Sequence, residues 1–141
     1  MAFAQSKTVD WLSVKELEQR YYKEPKPVLI FLETDWCKVC KMQLHTTFQN
    51  DSVVNQLNKS FYSFKLNAEH KDSIRFFNRT YQYNNAERLN ELAIYVGENN
   101  KRIEFPTTVI LDNKLQPIFR KEALLSATEL LELISTQIKA Q

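Results

Sequence analysis

The sequence predicts an α/β fold in which a mixed central sheet carries helices on both faces. Three observations support this prediction. A continuous apolar run at 28–32 is typical of a strand buried on both of its faces. Helix-like segments separate this run from the next strand-like segment, so the early strands should be parallel. Near the end of the chain, Asp112, Asn113 and Lys114 form a hairpin turn signal, which makes the last two strands antiparallel.

The first helix has clear signals at both of its ends. Ser13 is a suitable N-cap, and Glu16 three residues later completes a capping box. The helix should run through Tyr22, because Pro25 and Pro27 then end it. The strand at 28–32 follows directly.

The middle of the chain alternates between helix-like and strand-like patterns. The predicted elements are a helix over 38–48, a helix over 52–58 capped by Asp51 or Ser52, a strand over 61–66, a polar helix over 71–81 and a helix over 87–96 that stops at Gly97. The stretch 70–104 is therefore expected to be a helical insertion. Its apolar and aromatic residues either cover an edge of the sheet or form a lid or docking platform.

The last third of the chain should complete the sheet. Strands are predicted over 107–111 and 115–120, on the two sides of the hairpin turn. A final helix, capped by Ser126 or Thr128, should run through Ile138, since its apolar residues recur at helical spacing.

Composition narrows the function classes. The 141 residues fit a single domain over 1–141, of which we expect 1–10 to be flexible. A net charge of +2 argues against binding to nucleic acids or acidic membranes, and no apolar run is long enough for membrane insertion. Gly97 is the only glycine, which excludes glycine-rich phosphate loops and with them kinase, NTPase and Rossmann functions.

Two cysteines, Cys37 and Cys40, are the chemical candidates. In a helix, residues three apart lie on one face, so the two sulfurs can meet in a disulfide. Cys37 is expected in the first turn, where free N–H groups, the helix dipole and Lys38 favour its thiolate and lower its pKa below the free value of about 8.5. Cys37 should be exposed, whereas Cys40, one turn deeper, should be more buried and keep its proton longer.

Other roles for the pair stay open at this point. The cysteines are alternatively inert core residues, or ligands of zinc or copper in a metal chaperone. His45 and His70 are the only histidines that could join them as zinc ligands, and His45 lies too far along the same helix to close a compact site. A further signal is Phe105-Pro106-Thr107, in which Pro106 opens a buried strand that does not need its missing N–H.

Together, the Trp36-Cys37-x-x-Cys40-Lys41 motif and the Phe105-Pro106-Thr107 motif resemble those of the thioredoxin superfamily. The likeness is greatest to periplasmic disulfide reductase domains such as the C-terminal domain of DsbD-type proteins. The resemblance implies that Cys37 is the nucleophile and Cys40 the resolving thiol. It implies a cis Pro106 against the pair, Phe105 binding an extended substrate through its backbone, and Trp36 shielding one side.

The sequence departs from that family in three places. Phe31 stands six residues before Cys37, where members commonly carry a buried Asp. Glu33 lies on the same face of the strand and is either a replacement for that acid or a solvent-facing side chain. Lys38 and Val39 replace the common Gly-Pro pair, which tunes the reduction potential. Glu122 stands at the position of a common glycine after the hairpin.

The resulting hypothesis is a monomeric thiol–disulfide oxidoreductase that reduces protein disulfides and is recharged by an upstream thiol reductant. It needs no organic cofactor, because the cysteines carry both electrons. The alternative is a non-catalytic thioredoxin-like interaction module. Ala2-Phe3-Ala4 matches the end of a signal peptide, which predicts a periplasmic or secreted protein, whereas a chance match leaves it cytoplasmic.

Overall fold

The structure, a computed structural model, describes residues 8–140, with side chains through residue 138. Its elements are, in chain order, α1 (Val14–Lys23), β1 (Val28–Glu33), α2 (Lys38–His45), a 3-10 turn (Thr47–Gln49), α3 (Asp51–Ser60), β2 (Tyr62–Asn67), β3 (Ile74–Phe76), β4 (Arg79–Tyr81), β5 (Tyr83–Asn84), β6 (Leu89–Asn90), α4 (Glu91–Gly97), β7 (Thr107–Leu111), β8 (Pro117–Glu122) and α5 (Ala127–Ala140).

Four strands form the central sheet in the spatial order β2-β1-β7-β8. β1 and β2 are parallel, with Val28 opposite Tyr62 and Glu33 opposite Asn67. β7 is antiparallel to both of its neighbours, β1 and β8. The predicted mixed sheet is therefore confirmed, and the two long crossover connections place helices on both of its faces.

The alternation of side chains along β1 separates two cores. Leu29 and Phe31 point to one face, which we call the cysteine face because it also holds Cys37 and Cys40 and is covered by α2, α3 and α5. Val28, Ile30 and Leu32 point to the other, which we call the insertion face because the buried side chains of β3, β4 and α4 cover it together with α1. β1 and β7, the two central strands, thus contribute side chains to both cores.

Several local signals are confirmed at atomic detail. Ser13 and Glu16 form the predicted capping box at the start of α1. Ser126 caps α5, because its Oγ accepts the N–H of Glu129 at 3.2 Å. The cap of α3 was predicted one or two residues too late: the side chain of Asn50 accepts the N–H of Val53. Asparagine is as good an N-cap as aspartate, so residue type alone does not favour the later position.

The prediction of a helical insertion over 70–104 is wrong for most of that stretch. Residues 74–81 form the β3–β4 hairpin, and β5 pairs with β6, so among the described residues of 70–104 only α4 is α-helical. The turn is possible because Phe77 and Asn78 both adopt positive φ. In β3 the partly buried Ile74 and the buried Phe76 flank the exposed Arg75, which is an alternation of period two, and Tyr81 is buried at the end of β4.

The predicted flexibility of 1–10 is wrong for the last residues of that range. Val9 is buried in the core of the cysteine face. The Asp10 amide donates to Asn58 and its carboxylate pairs with Arg20 at 2.9 Å. Residues 1–7, including the Ala2-Phe3-Ala4 motif, lie outside the described residues. Among the helices that the structure describes, none is long and apolar enough to cross a membrane.

Candidate active site

The two cysteines lie at the start of α2 and are joined in a disulfide, with 5.3 Å between their Cα atoms. Cys37 is the N-cap residue of the helix, and its Sγ accepts the N–H of Cys40 at 3.1 Å. Its own N–H donates to the Thr34 carbonyl, which links the site to the end of β1. Both sulfurs therefore lie at the start of α2 and within bonding distance, as the spacing of the motif predicts.

Burial differs from the expectation of an exposed Cys37. Only 4% of Cys37 and 1% of Cys40 are accessible to solvent, because both pack into the apolar core of the cysteine face. Cys37 remains the more accessible of the two, so the predicted order holds although the absolute exposure is small. A reacting partner therefore meets only a small exposed part of Cys37.

The first turn of α2 carries positive charges only. Lys38 and Lys41 are exposed on this turn, and it contains no acidic residue. The free N–H groups at the helix start and these ammonium groups all favour a negative charge on Cys37 Sγ. The predicted low pKa of the Cys37 thiol has this physical basis and remains a prediction for the reduced form.

The peptide bond between Phe105 and Pro106 is cis, as the resemblance implied. Thr107, the next residue, pairs with Leu32 at the end of β1, so Pro106 lies beside the end of the strand from which the chain leads to Cys37. The Pro106 carbonyl accepts the N–H of Ala123 at 2.9 Å. Within residues 8–140, neither backbone group of Phe105 has a hydrogen-bond partner.

Trp36 stands beside the cysteines with 65% of its surface exposed. Its ring packs edge-on against Phe105, with 6.2 Å between the ring centroids. Its indole N–H donates to the Glu69 carboxylate at 3.0 Å. Val39 and Met42 are also exposed and follow at intervals of three residues, so an apolar stripe runs from Trp36 along α2.

Glu33 is half-buried at the end of β1, so the interpretation as a solvent-facing side chain is wrong. Its Oε2 is buried and has no hydrogen-bond partner in the part of the chain that the structure describes. Burial raises the pKa of this carboxyl, opposed first by Lys65, while Asp35 adds to the rise and Lys41 opposes it. The position at which family members commonly carry a buried Asp is occupied here by the fully buried Phe31, which has no acidic group.

The candidate metal ligands are not brought together. His45 is in the last turn of α2 and is exposed, as is His70 after β2. Across the described residues there is no cluster of three or more His, Cys, Asp or Glu side chains suited to a metal ion.

Sequence reasoning missed residues that organise the site from a distance. Gln43 is fully buried in α2 and bonds to both β7 and the loop after β8. A polar residue one turn after Cys40, on the buried side of the helix, was the available signal. The position of the glycine that is common in the family was predicted one residue too early. Glu122 is the last residue of β8 and pairs with Thr107, whereas Ala123 has a φ of 79°, in the region that favours glycine.

Comparison with known families agrees with this geometry. The profile of the thioredoxin-like domain matches residues 14–138. The chain belongs to the thioredoxin-like family. The predicted membership of the thioredoxin superfamily is thus confirmed. Among curated proteins, none matches this sequence.

Solved structures share the thioredoxin-like fold over nearly the whole chain. A DsbH oxidoreductase is 15% identical with a TM-score of 0.67, covering 100% of this chain and 93% of its own. A thioredoxin from Thermus thermophilus is 14% identical with a TM-score of 0.65, covering 92% of this chain and 86% of its own. The reduced DsbD C-terminal domain of Neisseria meningitidis is 13% identical with a TM-score of 0.57, covering 90% and 98%. At these identities the likeness shows the fold.

Proposed function

We propose that this protein is a thiol–disulfide oxidoreductase that reduces protein disulfides with Cys37 and Cys40. One observation carries the proposal: the two sulfurs form a disulfide at a helix N-terminus, in a thioredoxin-like fold, and a cis proline directly precedes β7, whose first residue pairs with the end of β1.

The reaction proceeds in two exchanges from the dithiol form. The Cys37 thiolate attacks one sulfur of the substrate disulfide, which forms a mixed disulfide and releases the other substrate sulfur as a thiolate that takes up a proton. Cys40 then loses its proton and attacks Cys37 Sγ. This step releases the second substrate thiol and leaves the Cys37–Cys40 disulfide. Two electrons pass to the substrate, and an upstream dithiol reductant restores the protein by the reverse exchange.

The fold supports the different roles of the two sulfurs. Cys37 Sγ, as the N-cap group, accepts the N–H of Cys40, and the same bond would stabilise its thiolate. Lys38 adds positive charge at the same turn. Cys40 is deeper by one turn and is the less exposed sulfur, which suits a thiol that attacks only an attached partner.

Substrate would bind as an extended segment beside Phe105. Both backbone groups of Phe105 are free of partners among residues 8–140 and can pair with a passing strand. The cis Pro106 turns the chain at this point, and the exposed face of Trp36 offers an apolar wall on the side of Cys37.

Glu33 is the candidate acceptor for the Cys40 proton. A carboxyl whose pKa is raised by burial is a better base near neutral pH than an exposed one. Its buried Oε2 also has spare hydrogen-bonding capacity within the described residues. We place this role on Glu33 because Phe31 cannot supply it.

No organic cofactor enters the scheme. We propose a compartment outside the cytoplasm, because Ala2-Phe3-Ala4 matches the end of a signal peptide.

Two cysteine variants test the proposal. Cys37→Ser should abolish turnover in a disulfide reductase assay, while Cys40→Ser should accumulate mixed disulfides with substrate that are visible by mass spectrometry. Reactivity of Cys37 with iodoacetamide against pH should give a thiol pKa below about 8.5. An unshifted pKa together with no reductase activity in the wild type would falsify the enzymatic function.

A non-catalytic interaction module is the second candidate. The absence of an acid at Phe31 and the 4% exposure of Cys37 favour it. A protein that binds its partner equally well after both cysteines become Ser would support this function. Loss of binding with the loss of the cysteines would exclude it.

A further inference from the structure

An open cleft of about 630 Å³ lies in the insertion, and hydrogen-bond donors line it. Its lining residues are Lys71, Gln82, Tyr83, Asn85 and Arg88, which together carry two positive charges and no carboxylate. Within the described residues, none of these five side chains forms a hydrogen bond or an ion pair. The volume is in the range of about 300–1,000 Å³ that is usual for small-molecule sites. The donors of the cleft are therefore free for a ligand from solution.

The buried Asn90 places two sides of this cleft. Its side-chain amide donates to the carbonyls of His70 and Asp72 at 3.2 and 3.1 Å, so the residues on both sides of Lys71 are fixed. Its backbone is paired with Tyr83 between β5 and β6. Asn90 itself is fully buried and does not line the cleft. It therefore holds Lys71 and Tyr83 in place relative to each other.

The turn between β5 and β6, which carries Arg88, is also fixed. The Arg88 N–H donates to the Asn84 carbonyl at 2.8 Å, and the Glu87 N–H donates to Asn84 Oδ1 at 3.0 Å. Arg88 adopts a φ of 59°, which is unfavourable for a residue with a Cβ. Its side chain is exposed, so burial does not offset this cost. Residues in such a conformation are frequent at binding sites.

No carboxylate near the cleft is paired with its two cations among the described residues. Glu91 Oε2 accepts the Gln82 N–H at 3.2 Å, which ties β5 to the start of α4. Asp72 and Glu87, the other acidic residues nearby in the chain, do not line the cleft. An ammonium and a guanidinium without counterions favour an oxyanion as ligand.

We propose that this cleft binds a sugar that carries an anionic group, a phosphate or a carboxylate. Lys71 and Arg88 bind the oxyanion. The amides of Gln82 and Asn85 bind the hydroxyl groups of the sugar, because an amide both donates and accepts hydrogen bonds. The lining contains no aliphatic side chain, so a hydrophobic ligand would gain little from it. The cleft is also larger than an inorganic anion requires.

Titrations followed by ¹H–¹⁵N NMR test the site with four probes: glucose 6-phosphate, glucuronate, glucose and inorganic phosphate. We expect the two anionic sugars to cause saturable shifts in the amides of residues 71 and 82–88. Glucose lacks the charge and inorganic phosphate lacks the hydroxyl groups of the ring, so each should bind at least about tenfold more weakly. Binding of either anionic sugar supports the site, and the stronger of the two identifies the anionic group.

Two variants and a matched control assign the binding to the cleft. Arg88→Gln and Lys71→Gln each remove one cation and keep an amide donor, and each should weaken the binding of glucose 6-phosphate about tenfold. Arg75→Gln removes an exposed arginine of β3 outside the cleft and should leave the affinity unchanged.

Three results would overturn the inference: no saturable binding of either anionic sugar, binding of glucose or inorganic phosphate as tight as that of the anionic sugars, or an equal loss of affinity in Arg75→Gln. None of these measurements involves turnover of a disulfide, so each outcome leaves the proposed reductase function to its own test.

Discussion

The two faces of the sheet each contain a buried amide side chain, and the two amides act over different distances. On the insertion face, Asn90 caps α4 through the Leu92 N–H and donates to the carbonyls of His70 and Asp72. All of its partners lie within 20 residues and belong to the insertion itself. On the cysteine face, Gln43 bonds to Thr108 and Leu125, which are 65 and 82 residues away.

This difference indicates what each face is built for. The insertion covers the sheet as a local structure, and its buried aromatic side chains lie in the core opposite to the cysteines. The interpretation of the insertion as a cover of the sheet agrees with this placement. Glu69, the residue just before the insertion, instead reaches the active site, where it accepts the indole N–H of Trp36. The cysteine face instead joins distant segments around one reactive pair.

The largest expected effect comes from removing one aromatic ring from each face. Phe31→Ala and Phe64→Ala should each lower the free energy of unfolding by about 3–5 kcal/mol, because both delete a buried ring. Urea unfolding measures this loss. Only Phe31→Ala should also change the rate of Cys37 alkylation, since Phe31 shares a core with both cysteines. Equal effects of the two variants on alkylation would contradict the separation of the faces.

Gly97→Ala should destabilise the insertion face by about 1–3 kcal/mol through overpacking. A Cβ at this position would overlap Leu32 Cδ1 and approach Ile103 Cδ1 to 3.1 Å. Thermal unfolding should show the loss, whereas Glu98→Ala, an exposed neighbour, should change stability by less than about 0.5 kcal/mol. Reductase activity at a temperature where both variants are folded should equal that of the wild type.

Glu33→Gln should alter the pH dependence of stability on the cysteine face. Because burial raises the pKa of Glu33 above its unfolded value, the native state loses stability as the pH rises through that folded pKa. The variant should therefore gain stability over the wild type at pH 7 and none well below pH 4, as measured by urea unfolding.

Glu129→Gln is the matched control with the opposite sign. The hydrogen bond from Lys121 lowers the pKa of Glu129, so its contribution is present above the unfolded pKa and disappears as the pH falls through the folded pKa. This variant should lose stability at neutral pH and match the wild type in acid. A gain at neutral pH in both variants would contradict the assignment to burial at Glu33.

The smallest expected effect is at Ala123. Ala123→Gly relieves the strain of a positive φ but makes the unfolded chain more flexible, so the net change should be a gain below about 1 kcal/mol. Differential scanning calorimetry would detect it. A loss of stability would indicate that the Ala123 methyl group contributes packing that outweighs its backbone strain.

The features predicted correctly are those with local causes. The capping box of Ser13 and Glu16 spans four residues, and the strand at 28–32 is an uninterrupted apolar run. The Cys37–Cys40 spacing fixes both sulfurs on one side of a single helical turn. The β3–β4 hairpin was missed because its turn consists of Phe77 and Asn78 in positive φ, without the glycine that normally announces such a turn.

The sequence by itself determined the strands of the sheet, the helix that starts at the cysteines and the close pairing of the two cysteines, because each depends on residues close together in the chain. Only the tertiary structure decided that Glu33 is half-buried, that Glu69 holds Trp36 and that Gln43 ties the loop after β8 to α2. These contacts join segments 33 to 82 residues apart, and a side chain's periodicity says whether it faces inward but not which distant partner it meets.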